Sequence, residues 1–224
     1  MKKNICVTET TDEFSFSSFW KSNLPTRNIL IIIVVVHIIL WIITMVQASV
    51  IDFNAIYSIS EDLLKKVGQF NEMVYQGHIY QLFTSIFVHF DWLHLASNCL
   101  FLLIFGLKAE DYLYNWQYYL LFIISGLMGG LLTLSFGAAT ISAGASGGIF
   151  GLLGADVIII YQEERDKKLW AYIGIGIIFL IITVGIHTNV LAHAIGLVTG
   201  FLFPIIFKKR KIVKENNKSI VEKI

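Results

Sequence analysis

The chain is 224 residues long, 56% hydrophobic and only 15% charged, with a mean hydropathy of +0.70. A soluble globular domain carries about 45–50% apolar and roughly 25% charged residues, so the composition excludes an ordinary water-soluble fold and points to one membrane domain. The net charge of +1 says nothing by itself, no nucleic-acid partner is expected, and neither Cys6 nor Cys99 sits where a disulfide is expected.

Residues 1–27 are polar and rich in Ser and Thr, a short N-terminal tail. The first apolar run, Asn28–Val50, is too long for a signal-peptide core and reads as an uncleaved anchor. The one long loop follows, roughly Ile51–Asp91. It mixes Phe53, Tyr57, Leu63, Leu64, Phe70 and Tyr75 with scattered charges, so it is expected to fold against the outer rim of a bundle. Five further apolar runs are expected at Trp92–Leu107, Trp116–Phe136, Gly144–Tyr161, Leu169–Ile186 and Val190–Phe207. A span needs about 20 mostly apolar residues. The second and fourth runs are short, and their polar heads imply that they start below the outer surface. Phe136–Ala143 is an uncharged connection, Gln162–Lys168 a charged turn and Gly185–Asn189 a tight one. The expected organisation is a tail over 1–27, a six-helix membrane domain over 28–207 and a basic tail over 208–224, which can also meet anionic lipid headgroups.

With all six runs crossing and the N-terminus inside, every Lys and Arg except Lys65 and Lys66 falls on the cytoplasmic side. The positive-inside rule then places both termini in the cytoplasm, in the cell membrane. The second, fourth and sixth runs enter from the outer face. Their polar heads, His94 with Asn98, Ser146, and His193, therefore share one depth.

Ser146 lies in Gly144-Ala145-Ser146-Gly147-Gly148, with Gly151 and Gly154 beyond. Small residues at this spacing let membrane helices pack closely, which is one reading of the stretch. The nucleophile elbow of soluble hydrolases is another, but it needs a strand and an α/β sheet that this chain lacks. His193 weights the choice, because a histidine inside a span is costly enough to be a functional candidate. Gly196 and Gly200 clear one face beside it, and the Gly-rich fourth run is the natural partner. Contact of those faces brings the Ser146 hydroxyl to an imidazole suited to take its proton. His94 and Asn98, four apart, share one helix face and can donate hydrogen bonds, either to each other's helices or to a developing oxyanion.

These motifs resemble those of the rhomboid intramembrane serine proteases. Gly144-Ala145-Ser146-Gly147 is similar to their G-x-S-G, His94 to Asn98 to the H-x-x-x-N of the second helix, and His193 with Gly196 and Gly200 to the sixth. Order and spacing agree over roughly Gly77–Phe207. The resemblance implies an all-α membrane protein, a rhomboid-like bundle of six transmembrane helices with a structured first outer loop. It implies Ser146 as nucleophile, His193 as general base, and an oxyanion hole from His94, Asn98 and the Ser146 backbone N–H. Gly144, Gly147, Phe150, Gly196, Gly200 and His89 become supporting residues, His89 as a structural histidine before the second span. Substrates are implied to be transmembrane proteins in the bilayer, with no cofactor and no metal.

Two departures stand out. Many members carry Trp-Arg in the first outer loop where this chain has Tyr80-Gln81, and some carry Tyr where Phe150 stands. Phe150 is expected to pack on the His193 ring. No acid completes a triad: Asp156 is ten residues from Ser146, about 15 Å along a helix, and Asp91 is expected at the solvated rim. His37 has no evident partner and is read as structural. Water is expected to reach Ser146 from outside, with the fifth span and the Gly185–Asn189 turn as gate and lid. A catalytically inactive, membrane-protein-binding relative is the alternative; a transporter would show charged or broken helices at mid-bilayer.

Overall fold

The structure, a computed structural model, describes residues 23–48, 53–163, 168–184, 189–207, 213–215 and 218–220. Residues 1–22, the middles of the Gln162–Lys168 and Gly185–Asn189 turns, and most of the basic tail lie outside the described residues. The chain is an all-α membrane bundle. Its long apolar helices are α1 (Leu24–Gln47), a rod made of α6 (Trp92–Phe101) and α7 (Leu107–Tyr112), α8 (Asn115–Thr133), α9 (Ser146–Glu163), α10 (Lys168–Val184) and α11 (Val190–Ile206). Helix α1, the Trp92–Tyr112 rod and α8 are long and apolar enough to cross a bilayer, while the other three are apolar over 17 residues or fewer.

The boundaries follow local chemistry. Helix α1 starts at Leu24, earlier than the expected residue 28, because Pro25 suits a first turn where its missing N–H is not needed. Asp91, expected in solvent, is 5% exposed. Its Oδ1 accepts the His94 N–H at 2.7 Å and caps α6, so the carboxylate serves a backbone donor. The second span is longer than expected because the helix runs on to Tyr112 through a π-helical turn, Leu102–Gly106.

The bundle closes on α9, which packs against both α8 and α11. A Cβ on Gly200 would run into the Gly151 carbonyl, and one on Gly196 into that of Gly147. Lipid supplies no hydrophobic force between membrane helices, so this close backbone approach is where packing attraction is gained. Around it Tyr118, Phe122, Phe105, Ile149, Leu152 and Phe179 are fully buried.

The first outer loop is structured, with the short helices α2 (Phe53–Tyr57), α3 (Glu61–Val67), α4 (Asn71–Tyr75) and α5 (Gln81–Thr84) and the two-residue strand β1 (Gln69–Phe70). Strand β1 pairs antiparallel with β2 (Ile141–Ser142), just before Ser146. These strands are too short to leave a periodic trace in the sequence. Gln81 anchors this loop. It is fully buried, its Oε1 accepts the Phe70 N–H at 2.9 Å, and its Nε2 donates to the Lys65 carbonyl at 2.7 Å. The Tyr80 hydroxyl donates to the Lys66 carbonyl at 3.1 Å. In the tail, β3 (Val213–Glu215) and β4 (Lys218–Ile220) form a hairpin where only a basic segment was expected.

Candidate active site

Ser146 opens α9 after a turn that only glycine makes comfortably. Gly144 has φ +134°, a conformation that L side chains rarely adopt. A Cβ there would lie 2.9 Å from His94 Cε1 and 3.0 Å from His94 Nε2. The turn is pinned by the Gly144 N–H, which donates to the Ser85 carbonyl at 2.9 Å, while the Ala145 N–H points at His89 Nε2 at 3.5 Å. At a helix start the first N–H groups have no partner within the helix and carry the positive end of its dipole. The Ser146 backbone N–H is such a group.

His193 stands in the first turn of α11, and its Nε2 is 2.7 Å from Ser146 Oγ. Both are buried, at 4% and 8% exposure. The Phe150 ring stacks on the imidazole, with centroids 4.5 Å apart and planes at 25°. Phe179 of α10 continues the stack at 4.7 Å from Phe150, and Phe101 of α6 follows at 4.0 Å from Phe179. His193 Nδ1 is buried with no hydrogen-bond partner among the described residues. Asp156 is fully buried on α9 and lines no cavity around the pair.

His94 and Asn98 part company. His94 lines the same small cavity as Ser146 and His193, but Asn98 does not. Asn98 is fully buried, and its Nδ2 donates to the His94 carbonyl at 2.8 Å, inside its own helix. Such an amide keeps a second N–H. His89 is fully buried edge-on to His94 at 5.2 Å. Burial, with His94 and His37 beside it, holds the His89 imidazole well below the ordinary histidine range, so it stays neutral. His37 finds an aromatic partner after all: its ring sits edge-on to Trp92 at 4.6 Å.

The cavity around Ser146 and His193 measures about 40 Å³ and is also walled by Gln69, Ser85 and Asn189. A water needs roughly 10–15 Å³ of such space, so it admits water but no stretch of peptide. A cavity of about 820 Å³ adjoins it, sharing Ser142 and Asn189 and lined further by Phe90, Asp91, Phe136 and Thr140. Among the described residues no group of three or more His, Cys, Asp or Glu is placed to hold a metal ion. Nothing in the sequence alone marks Gln69, Ser85 or Phe179 as a site residue. Gln69 and Ser85 carry no motif in the outer loop. Asn189 could have been found as an Asn immediately before an apolar run, the mark of a helix cap.

Comparison with known proteins gives one family. The rhomboid domain profile matches residues 76–210. The chain is similar to RHOMBOID-like protein 1 of Arabidopsis thaliana, 34% identical over 161 residues, covering 69% of this chain and 41% of that protein. It is similar to RHOMBOID-like protein 5 of the same plant, 32% identical over 166 residues, or 70% of this chain and 53% of that one. Rhomboid protease GluP of Bacillus subtilis (strain 168) is 33% identical over 124 residues, 55% of this chain and 24% of GluP. The chain thus spans about half of these relatives' length or less.

Proposed function

We propose, from the premise that this chain belongs to the rhomboid family, that it is an intramembrane serine endopeptidase. It hydrolyses peptide bonds in or near transmembrane segments with a Ser146–His193 dyad. The observation that carries this reading is the 2.7 Å contact between Ser146 Oγ and His193 Nε2, made by two helices under the outer loop. Similarity to a protein named a rhomboid protease supports it.

Ser146 Oγ attacks the scissile carbonyl carbon as His193 Nε2 takes the hydroxyl proton. The oxyanion is met by the Ser146 N–H and by His94, and Asn98, set back from the cavity, brings its second N–H to it when bound substrate opens the site. Return of the His193 proton to the leaving amine breaks the C–N bond and leaves an acyl-enzyme. Water, deprotonated by His193, attacks the ester; the tetrahedral adduct collapses, Ser146 regains its proton, and a carboxylic acid leaves. Gly144 and Gly147 permit the approach, Gly196 and Gly200 bring α11 close, and Phe150 holds the imidazole plane. Substrates are membrane-spanning proteins whose outer portion unwinds, because a helical peptide bond is shielded by its own hydrogen bonds. The charge distribution supports a cell-membrane protein with both ends in the cytoplasm and the site opening outward. The 28–207 domain with its two tails remains the proposed organisation.

The test is cleavage of a tagged single-span substrate by purified protein in liposomes. Ser146→Ala and His193→Ala should each fold normally and lose roughly 10³-fold or more of the rate. Undiminished turnover by Ser146→Ala refutes the nucleophile. A folded, unmodified protein without turnover favours the inactive, membrane-protein-binding alternative.

A further inference from the structure

Among the described residues no acid meets His193 Nδ1 to orient the base. Stacking on Phe150 fixes the plane of the His193 ring but does not set the height of α11, and so of the ring, against Ser146. Something else must set its height against Ser146. The polar contacts at the start of α11 are the nearest such restraint. Asn189 Oδ1 accepts the Ala192 N–H at 3.0 Å, and the Asn189 carbonyl accepts the His193 N–H at 3.2 Å. At its other end, Asn189 Nδ2 donates to Thr133 Oγ1 in the last turn of α8. The Thr133 hydroxyl proton is committed to the Gly129 carbonyl at 2.8 Å. Its oxygen therefore acts as the acceptor, and the amide must be the donor.

That end of α8 is itself tied to the outer loop. Asn71 Nδ2 donates to the Thr133 carbonyl at 2.9 Å, and Gln69 Nε2 donates to Asn71 Oδ1 and the Gly130 carbonyl, both at 2.9 Å. The two helices also touch directly here. A Cβ on Gly129 would lie 3.1 Å from both the Cβ and the carbonyl oxygen of Ala192.

We infer that Asn189 is the positioning residue of the dyad, an amide that caps α11 with one end and clamps it to Thr133 of α8 with the other. The inference rests on the protease reading above. It explains the residue type. Ser or Asp at this position would cap the helix equally well, but neither supplies a donor long enough to reach Thr133. The base is thus held from its own helix start rather than through its Nδ1.

The experiment measures the rate of fluorophosphonate labelling at Ser146 in the full chain in liposomes, with single-span substrate cleavage beside it. Asn189→Ala loses cap and clamp and should react about 100-fold more slowly, the scale of a 1 Å misplacement. Asn189→Ser keeps the cap and Thr133→Val removes the acceptor; each should slow about tenfold, through kcat rather than KM. The double variant should be no slower than either single one, because both changes break the same bond. Thr133→Ser should restore the unmodified rate. In every variant labelling should still reach completion, which a merely destabilised protein would not do. Unchanged rates, a loss confined to the final extent of labelling, or losses that multiply in the double variant would overturn the clamp alone. An unmodified protein that neither labels nor cleaves would overturn the protease reading and the clamp with it.

Discussion

A methyl group at Gly144 would be felt directly by the site. The position combines a positive φ with a His94 ring at contact distance. Gly144→Ala should lower the labelling rate at Ser146 roughly 100-fold, the scale of a small misplacement of reacting groups, while thermal unfolding stays cooperative. Gly137→Ala is the control: nothing lies within 4 Å of its added carbon, and surface changes of this kind stay within about 0.5 kcal/mol. The same scale separates residues that their motifs group together. His94 and Asn98 share a helix face by spacing, yet only His94 walls the cavity. Asp91, a few residues earlier, is a largely buried helix cap because the His94 N–H needs an acceptor there.

At the scale of elements, the contact between α9 and α11 decides whether Ser146 and His193 meet. It is made of glycine against backbone: Gly196 against Gly147, and Gly200 against Gly151 and Gly154. Gly200→Leu should cost about 1–3 kcal/mol or more by overpacking and abolish cleavage, read as a lower midpoint of thermal unfolding in detergent. Gly174→Leu on α10, where nothing lies within 4 Å of the added carbon, should leave both unchanged. Helix α10, read from the sequence as a gate, is fastened by Phe179 between Phe150 and Phe101. Any outward swing of α10 must first break that stack, and Phe150 is the ring that supports His193.

For the molecule as a whole, the buried histidine just before the second span links folding to pH. His89 is held neutral by burial, well below its ordinary value of 6.5. The unfolded chain gains a proton there as pH falls through 6.5, and the folded chain does not. Stability should therefore be complete above that pH and fall below it, by up to about 1.4 kcal/mol per pH unit for the one proton. Thermal unfolding in detergent between about pH 8 and pH 5, the window set by this lowered value, should show the decline, and His89→Gln should remove that proton's share of the slope.

Much was legible beforehand. Apolar runs locate the long helices because lipid demands internally bonded, apolar segments. Polar residues within such runs identify Ser146, His193, His94 and Asn98 as candidates because their presence there is costly. Helix ends shifted by a few residues where caps decide, at Pro25 and Asp91. What one chain read in order could not show is which side chains share a wall. The entry of Gln69 and Ser85 into the cavity and the reach of Asn189 to Thr133 join residues far apart in sequence, whereas the Ser146–His193 contact is expected from the small-residue faces of their two helices. Spacing along a helix determines which residues share a face; only the packing of one helix on another decides what that face touches.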